Sequence, residues 1–245
     1  MERKPKKLKV DNSLLRPKPF TQKGLYDDEV TLYFGKENLY VSKNFLCLAS
    51  PVFEAMFRNE FREKKEKRVA MTWKSYEDFL DFLLCIHPRY QKEVNELNVL
   101  RIVPLAEEYQ VTATVTKCKA VMKSMLSNAE ETALQTNHLP EHLKPLKKCL
   151  NVLNSAASLN YTDIMDLAVK SIARFGYCLY DGLDHSKDVL RGCYPALDSK
   201  VDVNNDTTYS DIYKDCNVLF KGLSLEIRNK ILSERLMKFN DNKFK

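Results

Sequence analysis

The side chains with the most obvious chemical promise lie together at His138-Leu139-Pro140-Glu141-His142. This is the H-x-x-E-H spacing with which some zinc peptidases hold a metal ion and activate water. It works only if both imidazoles project from one continuous helical turn. Pro140 has no amide hydrogen and is tolerated only in a helix's first turn, which places His138 outside the helix that carries His142. The pattern therefore reads as a helix start, and no metal ligand is expected. The seven cysteines (Cys47, Cys85, Cys118, Cys149, Cys178, Cys193 and Cys216) contain no C-x-x-C pair, so zinc-finger and redox motifs are absent. Cys47, Cys85, Cys118 and Cys149 fall in helical apolar patterns and are expected to fill core space as small hydrophobes. Six glycines form no phosphate loop and no G-x-S-x-G elbow. Glu107-Glu108 and Glu130-Glu131 read as solvated helix faces. The expectation is a protein with no catalytic residue and no cofactor, hence not an enzyme.

Charge is informative because of where it sits. Residues 1–24 hold eight of the 39 Lys/Arg and two of the 33 Asp/Glu, which accounts for the whole net charge of +6. The remaining 31 basic and 31 acidic side chains balance, so nucleic-acid binding is not expected. The basic stretch also carries Pro5, Pro17 and Pro19 without apolar periodicity. It reads as a disordered arm whose removal would leave folding intact. Lys6, Lys7 and Lys9 within it make a candidate nuclear-import signal. No apolar run follows the basic start and none of about 18 residues exists, so neither a secretory signal nor a membrane span is expected. The chain is expected to be intracellular, in the nucleus, the cytoplasm or both.

The elements follow from periodicity. Val30, Leu32 and Phe34 alternate with Thr31 and Tyr33, and Gly35–Asn38 supplies turn chemistry before Leu39-Tyr40-Val41, which predicts a β-hairpin. From Phe45 the apolar positions Leu48, Ala49, Val52, Phe53 and Met56 shift to helical spacing. Ser42 caps the start, and Ser50-Pro51 opens a second short helix. Arg68–Met71 predicts a third strand, and Ser75 opens a helix through Phe79, Leu80, Leu83 and Leu84 that stops at His87-Pro88. Leu97, Leu100, Val103, Ala106 and Tyr109 predict a helix bent by Pro104; Val115, Cys118, Met122 and Met125 predict another. A small sheet with a helical cluster makes an α+β domain over residues 25–128.

Beyond residue 128 the pattern is all-α. Leu143, Leu146, Leu150, Leu153 and Ala157 mark one face, and Ile164, Leu167, Ala168, Ser171, Ile172 and Phe175 another, with Gly176 as its terminator. Residues 182–217, rich in Asp, Asn, Ser and Thr, predict an irregular connection. Leu225, Leu232, Leu236 and Phe239 then form a last helix capped by Ser224. Residues 129–245 thus read as a helical extension.

The segments Asp28–Leu32, Val41–Leu46, Leu48–Phe57 and Pro104–Val111 resemble the BTB/POZ family in content and order, and the resemblance spans about residues 25–127. The tail, including Phe220–Ser224, is similar to the BACK-like helical region of BTB-only proteins. Ser42 stands where the family usually has His, a change that keeps the helix cap. The resemblance implies a two-fold homodimer through the first helices, here Phe45, Leu48, Ala49, Val52, Phe53 and Met56. It also implies docking of cullin-3 by a φ-x-E motif, here Phe61, Arg62 and Glu63, and so a substrate adaptor of a cullin-3 RING ubiquitin ligase acting on an unknown protein substrate. No Kelch repeat, MATH domain or zinc finger is recognised in these residues, so the cargo is not legible. The alternative is a BTB assembly module, such as a nuclear co-regulator, with the same dimer and no ligase role.

Overall fold

The computed structural model describes residues 18–58, 67–135, 139–175 and 207–243, with the backbone alone at 130, 132–135, 139–142, 207–210 and 238–243. The chain divides into two compact units: residues up to Lys92 together with Glu108–Val111, and Glu93–Glu107 together with the residues from Thr112 onward.

The first unit is built on the hairpin read from alternation. β1 (Glu29–Tyr33) and β2 (Asn38–Ser42) pair antiparallel with Val30 opposite Val41 and Leu32 opposite Leu39. β3 (Arg68–Ala70) joins β1 in parallel, Val69 opposite Leu32, for a sheet order of β2-β1-β3. Because side chains alternate across a strand, Val30, Leu32, Leu39, Val41 and Val69 share one face, and all five are buried. Gly35, in the turn, has a φ of +84° that other residues rarely adopt. Helices α1 (Lys43–Ala49) and α2 (Pro51–Arg58) follow β2, and α3 (Tyr76–Ile86) follows β3. The Ser75 hydroxyl accepts the Asp78 N–H to cap α3, and His87 ends that helix before Pro88.

The second unit is helical among the described residues: α4 (Val99–Glu108), α5 (Thr112–Gln135), α6 (Leu139–Ser158), α7 (Thr162–Ile172), α8 (Thr207–Gly222) and α9 (Leu225–Lys243). α6 packs against α5, α7 and α8, and α9 packs against α7. Its core takes Cys118, Met122 and Met125 from α5, Leu143, Leu146, Leu150 and Leu153 from α6, and Ile164, Ala168 and Ile172 from α7. Tyr161 is buried, donates its hydroxyl to Glu107 and lies under the Lys119 ammonium at 3.8 Å. Burial and the Glu107 carboxylate together raise the phenol's pKa.

Several expectations are corrected. The basic arm does not extend to residue 24: Phe20 is buried, its carbonyl accepts the Tyr40 N–H at 2.7 Å, and the Gly24 and Leu25 amides donate to the Glu29 carboxylate. Leu97 is 87% exposed and Leu100 only half-buried, whereas Val103, Ala106 and Tyr109 are buried as expected, and α4 also buries Val99, Ile102 and Leu105. α5 runs unbroken through residue 128. The polar stretch 182–217 is helical from Thr207, because Cys216 and Phe220 are buried at helical spacing; its earlier part lies outside the described residues. α9 is capped by Ser224, which accepts the Ile227 N–H, but it buries Ile231 and leaves Leu225 and Leu236 exposed. α7 ends at Ile172, and Gly176 lies outside the described residues. Pro104 and Pro145 both lie inside helices. Cys118, Cys149 and Cys216 are buried, whereas Cys47 and Cys85 are only half-buried.

Phe20 generates a stability prediction. Phe20→Ala, and equally deletion of residues 1–24, removes a buried ring and is expected to cost about 3–5 kcal/mol in chemical denaturation. An unchanged midpoint would return residues 18–24 to the arm.

Candidate protein-interaction surface

The face offered by α1 and α2 is set by three polar side chains. The Asp28 carboxylate accepts the Ser42 hydroxyl at 2.8 Å and the Asn44 N–H at 2.6 Å, while its carbonyl accepts the Lys43 N–H at 3.1 Å. Ser42 in turn accepts the Phe45 N–H at 3.2 Å, so the start of α1 is tied to the strand before it. Ser50 ends α1 by donating its N–H to Leu46 and begins α2 by accepting the Phe53 N–H at 3.2 Å. Its fully buried hydroxyl donates to the Tyr109 carbonyl at 2.6 Å.

These bonds fix which residues point inward. Leu46, Phe53 and Phe57 are buried, and Phe53 stacks on Tyr109 at 4.4 Å and 16°. Phe79 and Phe82 pack around the same phenol, whose pKa burial drives well above its ordinary value. Phe53 is therefore corrected as a dimer residue: its ring is consumed by this chain's own core. Phe45, Ala49, Val52 and Met56 are half-exposed, and Leu48 is 90% exposed. Of the expected dimer residues these five remain on the surface. Phe45 is also anchored behind, with its ring 4.6 Å from His87, which lies 5.3 Å from Phe20 and 5.1 Å from Tyr90.

The expected cullin-docking residues Phe61, Arg62 and Glu63 and the import candidates Lys6, Lys7 and Lys9 lie outside the described residues. So does His138, and α6 begins at Leu139 with Pro140 second. No helix among the described residues is long and apolar enough to cross a membrane. Sequence reasoning missed Asp28 as the residue that anchors α1, and the signal was present: an acid one position before a strand whose partner ends in a helix-capping serine.

The residues that build the capped hairpin, the paired short helices joined through Ser50, the parallel third strand and α3 fall within 19–126, the stretch that matches the family described as BTB/POZ domain. Residues 19–126 form a BTB/POZ domain. The BTB domain is a protein-interaction module, and the match begins where the packed chain begins, one residue before Phe20. Three proteins of Caenorhabditis elegans are similar. BTB and MATH domain-containing protein 38 is 32% identical over 91 residues, 37% of this chain and 23% of that protein. BTB and MATH domain-containing protein 15 is 27% identical over 129 residues, 52% and 46% of the two chains. BTB and MATH domain-containing protein 36 is 24% identical over 94 residues, 38% and 29%. The matched part of this chain thus spans between 23% and 46% of the length of these relatives.

The aromatic box behind Phe45 of the BTB domain yields a pH prediction. Burial, and then the Arg89 charge, hold the His87 pKa below its ordinary value of 6.5, and its Nδ1 accepts the Arg89 N–H at 3.1 Å. A base whose folded pKa is depressed stabilises the fold fully above its unfolded pKa, and that contribution fades as pH falls through 6.5 toward the folded value. Melting temperature should therefore fall between pH 7 and 5.5, and His87→Phe, which keeps the ring but not the proton site, should flatten the decline. Equal slopes in the two proteins would exclude His87 as the cause.

Proposed function

We propose that this chain is a homodimeric BTB adaptor that recruits a protein substrate to a cullin-3 RING ubiquitin ligase. The observation that carries the reading is the exposed apolar surface on α1 and α2, with Leu48 at its centre. An apolar side chain left this open on a short, rigidly capped helix pair is what a two-fold contact covers, because the same patch on a second copy is complementary to it. Phe45, Ala49, Val52 and Met56 surround Leu48 as the remainder of that contact.

In this reading cullin-3 docks through Phe61, Arg62 and Glu63. Phe61 is the sole large apolar side chain between Arg58 and Lys67 and acts as the anchor, and Glu63 accepts hydrogen bonds from the partner. Residues 25–128 serve assembly and docking, and the helical extension, 129–245, presents the cargo. That the curated relatives carry a MATH domain beside their BTB domain supports an adaptor organised as one interaction module plus one further module. Lys6, Lys7 and Lys9 would allow nuclear as well as cytoplasmic action.

The test pairs a cullin-3 pull-down with a melt of each variant. Phe61→Ala and Glu63→Lys are each expected to abolish capture while leaving the melting temperature and the dimer unchanged, since loss of an anchor costs about 2 kcal/mol or more of binding. Undiminished capture by both variants would overturn the docking site. A wild-type dimer that captures no cullin-3 would make the protein a BTB assembly module instead.

A further inference from the structure

Trp73 is the chain's one tryptophan and is 100% exposed, and its φ is +67°. The Lys74 N–H donates to the Met71 carbonyl at 3.3 Å, so Met71–Lys74 is a β-turn with Trp73 in its third position. A positive φ there is the demand of a type II turn and is met best by glycine or asparagine. For a bulky side chain it is a strained conformation. Trp73 therefore serves neither the turn nor the core, and strain retained at an exposed residue points toward a contact made with something else.

The turn directly follows β3, one of the two edge strands of the described sheet. The Lys67 carbonyl accepts the Thr31 N–H at 2.9 Å and the Met71 N–H donates to the Tyr33 carbonyl at 2.8 Å, with Val69 opposite Leu32 between them. In a parallel ladder alternate residues bond to the same neighbour, so the backbone groups of Arg68 and Ala70 face away from β1. Both residues are exposed, and among the described residues no backbone hydrogen bond reaches them from that side. The charge along this edge has one sign: from Lys67 to Ser75 the sequence holds Lys67, Arg68 and Lys74 and no acid. The Arg68 guanidinium rests over the Tyr33 ring at 4.1 Å, and Lys74 is paired with Glu108.

We propose that the outer edge of β3, open among the described residues, and Trp73 form a docking site for an extended acidic segment of a partner protein. The segment adds a strand to the sheet through Arg68 and Ala70, lays an apolar side chain on the indole and sets its carboxylates against Lys67 and Arg68. The inference depends on neither the dimer nor the ligase reading.

The probe is a pool of short capped peptides alternating Glu with Val, Ile or Phe, added to the full chain. Because Trp73 is the sole indole, its emission reports this site directly, and a saturable blue shift is expected as the ring leaves water. Anisotropy of labelled peptides should show affinity falling about tenfold or more in Ala70→Pro, which removes the outward N–H and spares the bonds to β1, and in Trp73→Gly. Trp73→Gly should melt no lower than wild type, since glycine suits the turn, so it keeps the test valid even if the proline variant is unstable. The proposal is overturned by the absence of a saturable shift at millimolar peptide, by equal binding when Lys replaces Glu, or by undiminished binding in Trp73→Gly. A shift that follows protein concentration without peptide would overturn it too, by making a second copy of the chain the occupant.

Discussion

The Ser50 hydroxyl donates to the Tyr109 carbonyl, 59 residues along the chain, while its oxygen accepts the N–H of Phe53. Ser50 is fully buried, so water cannot substitute for either bond, and losing one would leave a polar group stranded at a cost of about 1–3 kcal/mol. The pair of bonds does two things at once. It separates α1 from α2 at one residue, and it pins the start of α2 beside Tyr109 so that Phe53 can stack on the phenol. With α2 held in that rotation Phe57 follows Phe53 inward, and Val52 and Met56 are left facing out.

The exposed surface is thus a consequence of what is buried. α1 has only seven residues, and Leu46 is its one fully buried side chain. Such a helix is too short to persist on its own propensity, and it is held by the Asp28 and Ser42 bonds at one end and by Ser50 at the other. Leu48 stands between these fixed ends, and nothing among the described residues covers it. Its exposure reflects rigid placement, which lowers the ordering cost of any contact made there.

Much of this was legible in the amino-acid order, and the misplaced faces of α2, α4 and α9 share a cause. The hairpin followed from strict alternation, and the caps at Ser42, Ser50, Ser75 and Ser224 followed from side-chain chemistry that acts within three residues. Spacing alone could not separate Phe53 from Val52. The columns 52/56 and 53/57 both repeat at four residues, and only the contact with Tyr109, far along the chain, decides which of them is core. The same ambiguity placed Leu97 in the core in place of Val99 and Ile102, and gave α9 the face of Leu225 and Leu236 in place of Ile231. The helix from Thr207 was hidden by its polar composition, since Cys216 and Phe220, the residues buried among its described side chains, are too few to draw a stripe. Phe20 was concealed by the charge around it. The proposed docking residues Phe61 and Glu63 rest on family resemblance and lie outside the described residues.

In the proposed dimer the surface around Leu48 joins two copies of the chain. Light scattering on the wild-type protein and on Leu48→Asp, at matched micromolar concentration, tests it most directly. The expected result is twice the 28.5 kDa chain mass for the wild type and the single-chain mass for the variant, with equal melting behaviour once concentration is allowed for, because Leu48 contributes almost nothing to its own core. A monomeric wild type, or a Leu48→Asp protein that remains a dimer, would contradict it.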